Sequence, residues 1–269
     1  MNLVDALILG IIQGLTEFLP VSSSAHLVLG KTLLAVQEHG IVFEVFVHFG
    51  TLLSVLLVYR RDIYVLIQSL LTGLSQPGQI AGHYRQDRSF RFLVYILAGS
   101  VPAGVIGILF NDPIEKAFSD PFMVSGMLLV TGVILLLTRF IRPPQTEITF
   151  MKAILIGCAQ SMAIMPGISR SGSTISMALF LGISREEAAR YSFLLAVPVI
   201  LGATLLKLVE LLRHVPSTAE IEDLVVGTAI SFLSGYVAIK LLLMFIRKGK
   251  LDYFAWYCFA IGFVGLLYF

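Results

Sequence analysis

Long apolar runs separated by short charged segments dominate this chain. Six of them, roughly residues 41–59, 92–110, 122–140, 187–209, 224–246 and 252–269, are long enough to cross a bilayer, which takes about 20 residues. Two regions depart from that pattern. Residues 3–19 and 25–36 are apolar but short, with Pro20 and Ser22, Ser23 and Ser24 between them. Residues 151–165 and 174–183 repeat the arrangement around Pro166 to Ser173. At about 1.5 Å per residue, a helix of about 10–12 residues covers about half the hydrocarbon thickness. The pattern therefore predicts two re-entrant helix–loop–helix hairpins, 3–36 and 151–183, that dip into the membrane and return. Two more pairs of tilted spanning helices are the alternative it leaves open.

Composition agrees with the pattern. Hydrophobic residues make up 57% of the 269 and charged residues 13%, and the mean hydropathy is +0.89. A soluble domain carries about 25% charge, so the expected class is an all-α polytopic membrane protein. The net charge of +2 says little, because in membrane proteins placement outweighs the sum. Cys158 and Cys258 both fall in apolar segments and read as small core residues. The first segment lacks the basic start and small-residue exit of a cleaved signal. No basic face suits nucleic acid.

Each half of the chain holds one re-entrant hairpin and three spans. Three is odd, so the second half must sit upside down relative to the first, as an inverted-topology repeat. The expected division is a single membrane domain with repeat one at about 1–145 and repeat two at about 146–269. Loop charges orient it. Loops 59–91, 139–152 and 247–250 hold eleven Lys or Arg, whereas loops 111–121 and 210–223 hold only Lys116 and Arg213, among seven acidic residues. The excess of positive charge places the first set in the cytoplasm and both termini outside. The loop around 72–91, with Gly73, Pro77, Gly78 and Gly82, reads as a solvated connection.

The two hairpins also carry the candidate chemistry. Gln13-Gly-Leu-Thr-Glu17-Phe-Leu-Pro20-Val-Ser-Ser-Ser-Ala-His26 and Gln160-Ser-Met-Ala-Ile-Met-Pro166-Gly-Ile-Ser-Arg170-Ser-Gly-Ser-Thr174 begin 147 residues apart, each after a Gly-x-x-Gln step. Hydroxyl-rich breaks inside an apolar protein are costly and point to a buried site. Ser22, Ser23, Ser24, Ser171, Ser173 and Thr174 suit helix N-caps and first turns, where unpaired backbone N–H groups and the positive end of the helix dipole favour an anion. Gly167 and Gly172 allow close backbone approach, and Arg170 adds a planar, forked cation suited to phosphate oxygens. Glu17 lies one turn beyond Gln13, facing the same way. A divalent, oxygen-preferring cation between Glu17 and phosphate, helped by Gln13, would reconcile a carboxylate with an anion site. A direct Glu17–Arg170 bridge is the alternative. His26, beside Ser23 and Ser24, is a candidate base or nucleophile. His48 is a weaker candidate, with an interfacial role as its alternative.

At these residues the chain resembles a known family. Both segments are similar to the two signatures of the bacterial undecaprenyl-diphosphate phosphatase family, also called the bacitracin-resistance proteins, and the resemblance runs over essentially the whole chain. It maps the family's Glu/Gln and following Glu to Gln13 and Glu17, and its serine and histidine to Ser23 and His26. Its phosphate-binding run maps to Ser169, Arg170, Ser171 and Thr174. Gln13 leaves one carboxylate fewer than the Glu form of the motif. The resemblance implies hydrolysis of undecaprenyl diphosphate to undecaprenyl phosphate and inorganic phosphate, recycling the carrier lipid for peptidoglycan and other cell-wall polymers. It also implies a polyprenyl diphosphate substrate, a site open to the outer, periplasmic face of the inner membrane, dependence on Mg²⁺ or Ca²⁺, and a homodimer. The competing class is a transporter or flippase of a polyprenyl phosphate using the same intramembrane anion site.

Overall fold

The computed structural model describes residues 2–34, 40–75, 77–141, 145–211 and 218–269, and among these there is no strand. The helices are α1 (Leu3–Phe18), α2 (Ser23–Leu33), α3 (Gly40–Val58), α4 (Arg60–Ser75), α5 (Ile80–Gln86), α6 (Arg88–Leu109), α7 (Asn111–Phe118), α8 (Pro121–Leu137), α9 (Phe150–Met162), α10 (Arg170–Phe180), α11 (Arg185–Leu211), α12 (Thr218–Arg247) and α13 (Tyr253–Tyr268). Their starts are written in the sequence. At α1 the Asp5 N–H donates to Asn2 Oδ1 at 2.9 Å, and the Asn2 N–H donates to the Asp5 carboxylate at 3.1 Å, a reciprocal capping box. At α8 the Asp120 carboxylate accepts the Met123 N–H at 3.0 Å, and Pro121 takes the first turn, where its missing N–H costs nothing.

Among the described residues four helices, at Arg88–Leu109, Pro121–Phe140, Arg185–Leu205 and Glu220–Arg247, are long and apolar enough to cross a membrane. The outer faces of the bundle are apolar: Val101, Val105 and Ile108 of α6 and Leu267 of α13 are all exposed, the last at 88%. An apolar surface spread over long helices of this kind suits contact with lipid. The chain is an all-α polytopic membrane protein.

Three expectations are corrected in detail. α3 meets the spanning criterion together with α4 as a pair bent by 85°, and α13, at 16 residues, is shorter than a usual span. The segment 59–91 is not a loop but is largely helical, as α4, a 3₁₀ turn and α5. In α4, Leu66, Ser69 and Gly73 are buried on one face while Tyr64, Ile67, Leu71 and Leu74 stay exposed, a helical period that outweighs the scattered glycines and proline. Cys158 is exposed on α9, so only Cys258 is a core residue. Arg213, and residues 35 and 36 of the first hairpin, lie outside what the structure describes.

The packing follows the repeat seen in the sequence. α1 and α9 begin 147 residues apart, and α2 and α10 both begin and end at that offset. α1 packs chiefly on α12 and α9 on α6; α3 also packs on α12 and α11 on α6. α3 meets α11 and α8 meets α13. These are the pairings that a two-fold exchange of the halves would give. Even the crossing points correspond. A Cβ at Gly10 would lie 2.9 Å from the Gly227 carbonyl oxygen, and one at Gly157 would lie 2.2 Å from that of Gly99. In lipid, helices gain contact by bringing backbones together at small residues. Gly10 and Gly157, 147 residues apart like the helices they sit on, therefore set the approach of each hairpin to its long partner helix.

Gly157→Ala should push α9 off α6 and lower stability by about 1–3 kcal/mol, the usual cost of overpacking. Gly104→Ala, also on α6 but with open space at its Cβ, should leave melting in detergent unchanged or slightly raised.

Candidate active site

The two hairpin loops meet each other. In the first, the Val21 N–H donates to the Leu19 carbonyl at 2.8 Å, and Ser22 adopts φ 66°, so that its side chain caps α2 through the Ala25 N–H. In the second, Ser169 caps α10 by accepting the Gly172 N–H at 3.0 Å. The Gly167 N–H donates to Ser24 Oγ at 3.3 Å, and the Ser171 hydroxyl donates to the Leu19 carbonyl at 3.3 Å. Thr131 of α8 pins the second loop twice: its hydroxyl donates to the Gly167 carbonyl at 2.8 Å and accepts the Ser169 N–H at 3.0 Å. Gly167 itself has φ +96°, and a Cβ there would lie 2.4 Å from the Val124 carbonyl oxygen, so only glycine fits. The N-termini of α2 and α10 are thereby held side by side.

Glu17 lies at their junction and is buried. One carboxylate oxygen pairs with Arg170 Nη2 at 2.7 Å. The other accepts the Ser23 hydroxyl at 2.7 Å and Gln13 Nε2 at 2.9 Å, and faces His48 Nε2 at 3.5 Å. Ser23 and Arg170 are the first residues of α2 and α10, equivalent positions of the two repeats, and both converge on this one side chain. Arg170 Nη1 also donates to the Ser192 carbonyl at 3.3 Å, and Thr174 Oγ1 lies 2.6 Å from Ser192 Oγ. The bridge left open by the sequence is therefore present here. Burial makes it tight: with little water to screen them, each charge depends on the other.

The remaining hydroxyls serve local structure. Ser22 Oγ lies 3.1 Å from Ser24 Oγ, Ser169 Oγ lies 3.2 Å from Ser171 Oγ, and Ser173 is buried in the first turn of α10. Together with Gly172 they line a cradle of helix N-terminal N–H groups beside one guanidinium, an arrangement that binds phosphate. His26 is held from two sides, by the Ser22 carbonyl at Nδ1 and the Tyr257 hydroxyl at Nε2, each at 2.8 Å.

A divalent cation fits part of this set. Gln13 gives its N–H to Glu17, which leaves Gln13 Oε1 buried without a partner. That carbonyl oxygen, the Glu17 carboxylate and phosphate oxygens are the ligands a hard cation takes. Among the described residues no group of three His, Cys, Asp or Glu side chains could hold a metal by itself. The remaining ligands would have to come from substrate and water.

Gln13, Ser23 and Arg170 meet directly at Glu17, whereas His26 is turned to Ser22 and Tyr257. Sequence reasoning undervalued His48, whose only signal was its i,i+4 spacing from Glu44, and missed Thr131, Ser192 and Tyr257. Those three come from helices outside the motifs, and nothing local marks them. Glu44 instead pairs with Lys31, and Arg190 bridges Asp62 at 2.6 Å and Glu187 at 3.2 Å.

Comparison with known proteins gives a consistent result. The family model described as bacitracin resistance protein BacA matches residues 6–264. A Salinibacter ruber protein named undecaprenyl-diphosphatase is 47% identical over 264 residues, covering 97% of each chain. Proteins of the same name from Geobacter metallireducens and Korarchaeum cryptofilum are each 42% identical, covering 100% and 97% of this chain and 98% and 97% of their own. With Glu17, Ser23 and Arg170 assembled at one point and the match running almost from end to end, the chain belongs to the bacitracin resistance protein BacA family.

Proposed function

We propose that this protein is a membrane phosphatase that hydrolyses undecaprenyl diphosphate to undecaprenyl phosphate and inorganic phosphate, returning the carrier lipid to cell-wall synthesis. The observation that carries this reading is the convergence of two helix N-termini and Arg170 on Glu17. It provides an anion cradle and a proton acceptor in one place. The names and near full-length identity of the relatives supply the substrate class.

In the ligand-free protein Arg170 and Glu17 neutralise each other. An entering diphosphate competes with Glu17 for the guanidinium, and the N–H groups of α10 take up its oxygens. Ser23 is the nucleophile that this geometry favours. Its hydroxyl already donates to Glu17 Oε2, so that proton has an acceptor as the oxygen attacks phosphorus. Attack would break the bond from that phosphorus to the bridging oxygen, leaving undecaprenyl phosphate and a phosphoserine. Water would then release phosphate and restore the serine, with His26 Nε2 as the second proton acceptor. Glu17 and Gln13 Oε1 would hold Mg²⁺ or Ca²⁺, which when bound would offset the charge gathering on the diphosphate.

For placement, we propose the inner membrane with both termini outside and the site opening to the outer face. The eleven-to-two imbalance of basic residues between the loop sets supports this orientation. The two-fold pattern of helix pairings supports an inverted repeat divided near residue 145. A homodimer is carried over from the family resemblance.

Three experiments test these readings. Arg170→Lys keeps the charge but not the fork, and should lower kcat by about 100-fold or more. Arg170→Ala should also destabilise the protein, by about 3–5 kcal/mol if Glu17 is left unpaired, and Glu17→Gln should restore much of the melting temperature. A stable Arg170→Ala protein with near-normal phosphate release would contradict the clamp. Excess chelator should abolish turnover and added Mg²⁺ or Ca²⁺ restore it, whereas full activity in chelator excludes an essential metal. Single cysteines placed near Glu115 and Glu220 should react with an impermeant reagent from outside, and those near Arg88 and Lys248 should not; the reverse pattern would invert the topology.

A further inference from the structure

His26 is gripped from a helix that neither motif includes. Its Nδ1 lies 2.8 Å from the Ser22 carbonyl oxygen, which also accepts the His26 backbone N–H at 3.3 Å. A carbonyl oxygen only accepts, so Nδ1 must carry a proton, and in the neutral ring the lone pair sits on Nε2. That nitrogen lies 2.8 Å from the hydroxyl of Tyr257 on α13, 231 residues away. The phenol is therefore the donor in this bond. The two rings also lie parallel within 8°, with centroids 5.6 Å apart, so the imidazole is fixed in its plane as well as at both nitrogens. The next residue on α13, Cys258, is fully buried, with its Sγ 3.7 Å from the Pro20 carbonyl oxygen. Neighbouring residues of α13 thus contact the first hairpin on both sides of its turn, one at the loop and one at the candidate base.

We propose that Tyr257 is a positioning residue for His26, holding the imidazole in the Nδ1–H tautomer with Nε2 aimed as a proton acceptor. This rests on the reading that His26 serves phosphate release. In the resting protein the phenol O–H occupies the Nε2 lone pair. Nε2 has only that one lone pair, so a water molecule reaches it after the phenol hydroxyl has swung aside; once the water has given its proton to Nε2, the phenol oxygen accepts the new N–H in place of donating. The tyrosine gains and loses no proton, since its hydroxyl works in both directions. The same contact ties the base to α13, which packs against α8, and Thr131 of α8 anchors the other hairpin loop. Base and phosphate cradle are thereby held to one pair of helices.

The test uses purified full-length protein, labelled undecaprenyl diphosphate and ¹⁵N-histidine NMR. Tyr257→Phe keeps the ring contact and loses only the hydroxyl. Its kcat should fall about tenfold, the equivalent of one neutral hydrogen bond, with KM within twofold and melting unchanged. In wild type, His26 should show a single Nδ1–H tautomer with a hydrogen-bonded Nε2, and the Nε2 resonance should move in Tyr257→Phe. With His26→Gln as background, Tyr257→Phe should cause no further loss, because the two side chains act as one unit. Turnover of Tyr257→Phe within twofold of wild type, or an Nε2–H tautomer in wild type, would overturn the inference while leaving the phosphatase reading intact. Failure of wild type itself to release phosphate would overturn that reading, and this role with it.

Discussion

One buried carboxylate organises this protein. Glu17 sits where water is scarce, so its charge must be met by protein groups, and four side chains from both halves of the chain are drawn into that contact. Arg170 meets it at 2.7 Å from the second hairpin, Ser23 and Gln13 from the first, and His48 from α3. Removing the guanidinium leaves an unpaired charge in a low-dielectric interior, which costs far more than a surface ion pair is worth. The same cost makes the site responsive to ligand: a diphosphate that can satisfy Arg170 exchanges one partner for another instead of facing an empty cavity.

Precision at that point depends on the scaffold. Backbone contacts at Gly10–Gly227 and Gly157–Gly99 seat each hairpin against a long helix. Thr131 and Cys258, on the packed pair α8 and α13, hold the two loops. The short helices α2 and α10 then start at positions 147 residues apart, and Ser23 and Arg170 arrive at Glu17 as equivalents with different chemistry. One repeat supplies the hydroxyl and the other the cation.

Much of this was legible because membranes make polar sequence conspicuous. Proline and serine clusters interrupting apolar runs can hardly be anything but buried, functional loops, and their 147-residue offset reappears in the helix boundaries. What was not legible came from elements whose roles are set only by packing. Tyr257 is one aromatic residue among several near the end of the chain, and Ser192 and Thr131 are ordinary small polar residues in apolar helices. The segment after Tyr59 was misread because its glycines suggested a loop. The periodic burial of Leu66, Ser69 and Gly73 makes it a helix lying at a steep angle to α3. Cys158 looked like core from its apolar neighbours, yet it faces outward, since in a membrane protein hydrophobic sequence marks lipid contact as readily as interior.

The central claim is that Arg170 leaves Glu17 for the diphosphate. The most direct measurement is a structure of the protein bound to a polyprenyl methylene-diphosphonate, which keeps the charge but cannot be cleaved at the bridge. The expected result places the terminal phosphonate between the starts of α2 and α10, with the Arg170 guanidinium on its oxygens and Ser23 Oγ directed at its phosphorus. A diphosphonate bound elsewhere, with the Glu17–Arg170 pair intact, would contradict it.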